Sequence, residues 1–265
     1  MSSRFIKYIE GYSVIHKLDP RAKFTFIFFL VLSLTLAFHI VLVLPLLAIS
    51  LFFYSLSELP WSKTKGTWKF VLTVIIALSL LNYLTIVLLY AKGSLIETLF
   101  SWEVISRAVT PVLKLLALAL ATATLVFTTP PNLYAPALGQ MGIPYKAAYI
   151  IQLALRYVPE FIAEMSRTLE AQMARGFRPR GGKNPVAKLL SIVPLVVPVT
   201  ISATMSIYDI ADSMELRGFG EEKCHTWYRE LKLSRRDKLL LAFSYSLGAF
   251  YIALFTAKLT GFISI

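Results

Sequence analysis

Residues 24–57, FTFIFFLVLSLTLAFHIVLVLPLLAISLFFYSLS, contain no Asp, Glu, Lys or Arg, and His39 is the one interruption near their middle. A helix needs about 20 apolar residues to cross the hydrocarbon core of a bilayer, so this run is long enough for two helices joined by a tight turn at His39. Three more runs of spanning length lie at 68–91, 107–128 and 239–259. Trp68 and Tyr90 stand where interfacial aromatics belong. Lys114 falls about two turns into its run, from where its amine can snorkel to the headgroups. Beyond it, Ala117, Ala119, Ala121, Ala123 and Thr124 keep side chains small enough for a neighbouring helix to approach closely. The expected fold is an all-α integral membrane protein with about five transmembrane helices and a cytoplasmic segment of amphipathic helices.

Composition agrees. Hydrophobic residues make up 57% of the 265, and the mean hydropathy is +0.66, more apolar surface than one soluble core of this size buries. The formal charge of +12 could suit nucleic acid, but the basic residues alternate with spanning runs, the pattern of the cytoplasmic side of a membrane. Arg4, Lys7, Lys17, Arg21 and Lys23 precede the first run, Lys63, Lys65 and Lys69 separate the second from the third, and most of the rest lie in 129–238. The opposite connections carry Lys92 and Arg107 near their ends, and the C-terminal tail carries Lys258. This asymmetry predicts a multi-pass protein of the cytoplasmic membrane with the N-terminus inside and the C-terminus outside. It also predicts four parts: a cytoplasmic arm at 1–23, four transmembrane helices in 24–128, a cytoplasmic segment at 129–234, and a last transmembrane helix with the C-terminus at 235–265. The N-terminus lacks the charged start and short apolar core of a cleaved signal and is expected to be retained. Cys224 has no second cysteine for a disulfide and no clustered histidine for a metal.

The cytoplasmic segment is not uniformly polar. Pro130-Pro131 ends the fourth helix, and Pro144, after Gly142, suits the first position of a new one. Apolar residues then recur at Ile150, Ile151, Ala154, Leu155, Val158, Ile162, Met165, Leu169 and Met173, a three-to-four spacing that builds one greasy face. Arg156, Glu160, Glu164, Arg167 and Glu170 keep this stretch out of hydrocarbon. It reads as an amphipathic helix pair, divided or kinked at Pro159, lying at or below the membrane surface. Residues 189–207 are apolar enough to cross, but a crossing would leave 217–238, with seven Lys and Arg, outside. Residues 185–216 are therefore expected as one long helix bent near Pro194 and Pro198, with GFRPRGGKNP at 176–185 as the hinge between the arms.

Each arm ends in the same way: Ala174-Arg175-Gly176-Phe177 and Leu216-Arg217-Gly218-Phe219. A glycine just past the last helical residue is the usual helix stop, because it enters the left-handed region without a Cβ clash. An arginine before it complements the exposed carbonyls of the last turn. A capped end would explain either motif alone. Two copies, at the ends of two greasy arms, present two guanidiniums that can each enter a groove and pair with a carboxylate through two hydrogen bonds.

The paired motifs, the stretch GIPYKAAYIIQLALRYVPEFIAEMSRTLEAQMARGF before the first, ADSMELRGF at the second, and the lead-in Ser13-Val14-Ile15-His16-Lys17-Leu18-Asp19-Pro20-Arg21-Ala22-Lys23 resemble the transmembrane T component of energy-coupling factor importers, the family of cobalt, nickel and vitamin uptake permeases. The likeness covers roughly half the chain. Leu216 stands where the family pattern often has Ala. The resemblance implies two ABC-type ATPase subunits, engaged through Ala174, Arg175 and Gly176 at one tip and Leu216, Arg217 and Gly218 at the other. It also implies a small membrane substrate-binding component held on the apolar arms, at Ile151, Leu155, Val158, Ile162, Met165, Leu169, Leu195 and Val199. The chain itself would bind neither ATP, cofactor nor substrate, and nucleic acid is not among its expected partners.

Three further readings of the residues compete with this one. The glycine-rich stretch at 176–184 has Gly182 where a phosphate-binding loop needs its lysine, and no Ser or Thr follows. Asp209, Asp212 and Glu215, three apart on one helix, could hold Mg²⁺ against a pyrophosphate in a lipid- or pyrophosphate-modifying membrane enzyme, but no second acidic row accompanies them. A self-contained permease would place ionisable residues in mid-span, and the runs supply none beyond Lys114.

Overall fold

The computed structural model describes residues 8–90, 102–177, 193–221 and 231–260. Cys224, most of the hinge at 176–185, and Arg4, Lys7 and Lys92 lie outside the described residues. Every regular element among the described residues is helical. They are α1 (Pro20–Leu36), α2 (Ile40–Leu56), α3 (Trp61–Tyr90), α4 (Trp102–Thr128), α5 (Tyr134–Gln140), α6 (Tyr145–Ala174), α7 (Val193–Glu215) and α8 (Arg235–Leu259), with a short 3₁₀ turn at Pro131–Leu133. This is an all-α membrane protein. The described residues divide into two compact units, one made from those in 8–130 and 231–260 and the other from those in 131–221.

The larger unit holds α1 to α4 and α8. The break at His39 is real: α1 stops at Leu36 and α2 starts at Ile40. α1 packs on α4 and α8, while α2 and α3 pack on α4. Ala117 and Ala121 of α4 are buried in one core with Ala22, Phe26 and Leu30 of α1 and Val43 and Leu46 of α2. Their missing bulk lets three backbones meet, as the small-residue pattern implied. Phe26 stacks on Phe53 at 4.4 Å, and the Trp68 indole donates to the Tyr54 hydroxyl at 2.7 Å.

α3 begins at Trp61, seven positions before the apolar run does. Lys63, Lys65 and Lys69 lower the hydropathy there without breaking the helix, since lysine is a good helix former. At 1.5 Å per residue the helix is about 45 Å long, so its lysine-bearing turns extend past a hydrocarbon core of about 30 Å.

In the second unit, α5 packs on α6 and α6 packs on α7. Two expectations are corrected here. α6 runs through Pro159 as one helix rather than two, so the lost hydrogen bond does not outweigh the continuous apolar stripe on either side. Pro144 is the N-cap of α6, so the helix starts at Tyr145, one position later than expected. α7 contains Pro198 and starts at Val193 among the described residues.

By length and composition, four helices among the described residues could cross a membrane: Trp61–Leu88, Ser106–Thr128, Val193–Glu215 and Arg235–Leu259, with Ile40–Leu56 a shorter apolar helix.

Candidate functional site

The two Arg-Gly-Phe motifs fold into the same structure. At the end of α6, Gly176 has φ +88°, the Phe177 N–H donates to the Gln172 carbonyl at 2.9 Å, and the Gly176 N–H donates to the Met173 carbonyl at 3.0 Å. Beyond α7, Gly218 has φ +70°, the Phe219 N–H donates to Met214 at 3.0 Å, and the Gly218 N–H donates to Glu215 at 2.8 Å. This six-to-one bond paired with a five-to-two bond is the Schellman stop, and it requires a residue that tolerates positive φ at the glycine position. In both copies the arginine is the last residue before the reversal, and Ala174, Arg175 and Gly176 are exposed, as are Leu216 and Arg217. Leu216, at 89% exposure, is an apolar side chain displayed at a tip. Gly218 is half-buried. Among the described residues neither Arg175 nor Arg217 has a carboxylate partner. A planar guanidinium in that position can take a carboxylate through two parallel bonds.

The arm residues are less uniform. Ile151, Leu155, Val158, Ile162, Met165 and Leu169 do share one face of α6, since their spacing alternates four and three. Ile151, Val158 and Met165 are exposed, and Leu155, Ile162 and Leu169 are half-buried. On α7, Leu195 is half-buried and Val199 is buried, whereas Val196, Val197, Ile201 and Met205 are exposed. The face that α6 turns to α7 is a different one. Leu153, Tyr157 and Phe161 of α6 line a cleft of about 420 Å³ with Ala203, Ile207 and Ile210 of α7, and Glu160, Glu164, Ser202 and Ser206 supply its polar lining. Leu153-Tyr157-Phe161 is an i, i+4, i+8 row that was visible in the sequence but overshadowed by the longer stripe beside it.

The lead-in motif is a structural knot in the larger unit. Asp19 caps α1 by accepting the Arg21 N–H at 2.9 Å, and Pro20 occupies the first turn, where its missing N–H costs nothing. Arg21 pairs with the Asp19 carboxylate at 3.0 Å and donates to the Leu231 carbonyl at 2.6 Å. Lys23 is 4% exposed, and its Nζ donates to the Thr128 carbonyl, the Thr128 hydroxyl and the Thr129 hydroxyl at 3.1 to 3.2 Å. Asp237, 2% exposed, accepts the Asp19 N–H at 2.8 Å and the Ser234 N–H at 2.7 Å. Two cations and two carboxylates therefore balance at the ends of α1, α4 and α8, which is what makes burying them tolerable. Asp237 was not foreseen, although Ser234-x-x-Asp237 ahead of an apolar run carries a capping-box signal.

His16 completes the lead-in. Its Nε2 lies 3.0 Å from the Ile9 carbonyl and its Nδ1 2.7 Å from the Ser13 hydroxyl. A carbonyl only accepts, so Nε2 carries the proton and Nδ1 accepts from Ser13 in the neutral ring. Burial holds the imidazole below its ordinary pKa, the Ile9 carbonyl opposes that, and the Lys23 charge adds to it.

The acidic row at Asp209, Asp212 and Glu215 is exposed to solvent, and the Asp209 carbonyl accepts the Ser213 hydroxyl at 2.6 Å. No group of three or more His, Cys, Asp and Glu side chains able to hold a metal comes together among the described residues.

Comparison with known proteins gives a consistent result. The CbiQ family, described as cobalt transport protein, matches residues 11–226. The energy-coupling factor transporter transmembrane protein EcfT of Leuconostoc gelidum subsp. gasicomitatum is 30% identical over 276 residues, covering 95% of this chain and 96% of its own. The EcfT proteins of Staphylococcus aureus and Bacillus subtilis are 29% and 30% identical, covering 96% and 87% of this chain and 97% and 90% of theirs.

Proposed function

The chain belongs to the CbiQ family of energy-coupling factor transporter transmembrane proteins, and we propose that within such a transporter it couples two cytoplasmic ABC-type ATPases to a small membrane component that binds a vitamin or a transition-metal ion. The observation that carries this is the duplicated tip: two long helices end in one and the same cap, each presenting an exposed arginine. Each guanidinium enters a groove of one ATPase and meets a carboxylate there, a charge-assisted pair of the kind that contributes about 1.5–3 kcal/mol. Closing of the ATPases on ATP then moves the tips, and the apolar faces of α6 and α7 pass that motion to the substrate-binding component.

The topology that goes with this reading puts the N-terminus and 129–234 in the cytoplasm and the C-terminus outside. The bundle supports it. Lys23, near the start of α1, holds Thr128 at the end of α4, and Asp19 is held by Asp237 at the start of α8. At the other end, the Lys258 amine near the end of α8 sits 3.4 Å over the Phe38 ring just past α1. α1 and α8 are thus parallel, and the chain leaves α4 and enters α8 at one end of the bundle, so whatever lies between crosses an even number of times. α7 is the one helix of that stretch, among the described residues, with the length and composition of a span. A crossing by α7 alone would put the start of α8 on the wrong side, along with the basic run before it.

Co-purification tests the coupling. With Arg175→Glu and Arg217→Glu together, the chain inserts and folds but no longer retains its ATPases. A double variant that keeps both ATPases and still supports uptake overturns the reading.

A further inference from the structure

The two tips share a cap but not an attachment. The Phe219 ring packs against the first turns of α6, with its centroid 4.8 Å from that of Tyr149 at an interplanar angle of 39° and 5.8 Å from that of Tyr145 at 69°. Just after it, Gly220 has φ +95° and runs so close to Lys146 that a Cβ there would stand 3.1 Å from Nζ. Among the described residues the other tip has no such brace. Phe177 has no ring partner among the described residues, and a Cβ on Gly176 would meet nothing within 4 Å.

α6 is therefore occupied at both ends. Its last turn carries Arg175, and its first turns hold the cap that carries Arg217. The Schellman stop fixes Arg217 relative to α7, and the ring contacts fix that stop relative to α6. Aromatic pairs suit such a joint because two side chains with few rotatable bonds hold an offset or edge-on geometry.

We propose that Tyr145 and Tyr149 are positioning residues that clamp the Arg217 tip to the start of α6, so that one helix sets the distance between the two guanidiniums. The 25 residue-to-residue steps from Tyr149 to Ala174 make a strut of about 38 Å at 1.5 Å per residue. The spacing offered to the ATPases is then a property of α6 and not of the residues that join α6 to α7 in sequence. The second tip moves with the first arm as one body, and motion of the ATPases turns the pair rather than sliding one arm along the other. This rests on the coupling reading, in which each arginine engages an ATPase.

Pulsed electron paramagnetic resonance tests the clamp on the full chain in its complex, with Cys224→Ser and spin labels at Glu170→Cys and Asp212→Cys, both exposed positions. The parent gives one narrow distance. Tyr149→Ala broadens it and lowers uptake per ATP hydrolysed about fivefold, the equivalent of roughly one aromatic pair, while Tyr149→Phe restores both. Tyr145→Ala gives the same pair of readings should Tyr149→Ala fail to insert. An unchanged distance in both alanine variants, with Arg217→Glu still releasing its ATPase, overturns the clamp and leaves the coupling reading standing. If instead Arg217→Glu retains its ATPase, coupling has failed, and the distance width alone decides whether the clamp exists.

Discussion

The Asp237 carboxylate accepts the backbone N–H of Asp19 at 2.8 Å, so the first turn of the last helix is fastened to the cap of the first, 218 positions away in sequence. With Lys23 reaching Thr128 and Thr129, that bond gathers three helix ends at one face of the bundle.

Replacing Asp237 with Asn should destabilise the protein. Asn keeps one acceptor but turns an amide donor toward a backbone N–H, and it removes a charge that balances Lys23. The loss of one charge-assisted bond with a group left unpaired costs about 1–3 kcal/mol. Unfolding in mixed detergent measures it, and an unshifted midpoint contradicts the assigned contacts.

Lys23→Met removes the amine from Thr128 and Thr129 and leaves the two carboxylates short of a cation. Since the charge of Asp237 acts on Lys23, the two substitutions should not add. Lys23→Met with Asp237→Asn should lose less than the sum of the singles, by about 0.5–3 kcal/mol. Strict additivity in the same titration means the two groups do not interact.

His16 makes the lead-in sensitive to acid. Its pKa in the folded chain lies below that of the free side chain, so folding favours the neutral ring. The contribution is complete above the unfolded value of about 6.5 and is lost as pH falls through the lower, folded value. Between about pH 7.5 and about pH 5, the melting temperature of the parent should fall more steeply than that of His16→Gln, whose amide can still donate to Ile9. Parallel slopes would remove His16 from the account.

Gly176→Ala separates the tip from the fold. A Cβ at Gly176 meets no neighbour among the described residues, so the cost is that of the left-handed backbone, about 1–2 kcal/mol. That strain is relieved by fraying the last turn, which disperses Arg175. Capture of the ATPases should weaken several-fold while the melting temperature of the bundle barely moves. Equal capture by parent and Gly176→Ala means Arg175 does not need its cap.

What could be read in the sequence was what single residues dictate locally. Gly176 and Gly218 announced their helix ends because positive φ is written in one residue, and residues 24–57 announced two helices because no charge divides them. Pro159 misled for the complementary reason: the local cost of a proline was visible, but the packing that carries α6 through it was not. The start of α3 was missed because three lysines read as the end of an apolar run, although lysine does not end a helix. The Asp19–Asp237 bond and the Tyr149–Phe219 contact join residues far apart in the chain, and no local pattern states such a pairing.

The most direct test of the coupling role places a photo-crosslinking residue at Ala174 in one variant and at Leu216 in another, each beside its arginine, in membranes that carry out uptake. The account predicts an ATPase adduct from both positions, each lost when the adjacent arginine becomes glutamate. Active uptake with no ATPase adduct from either position would contradict it.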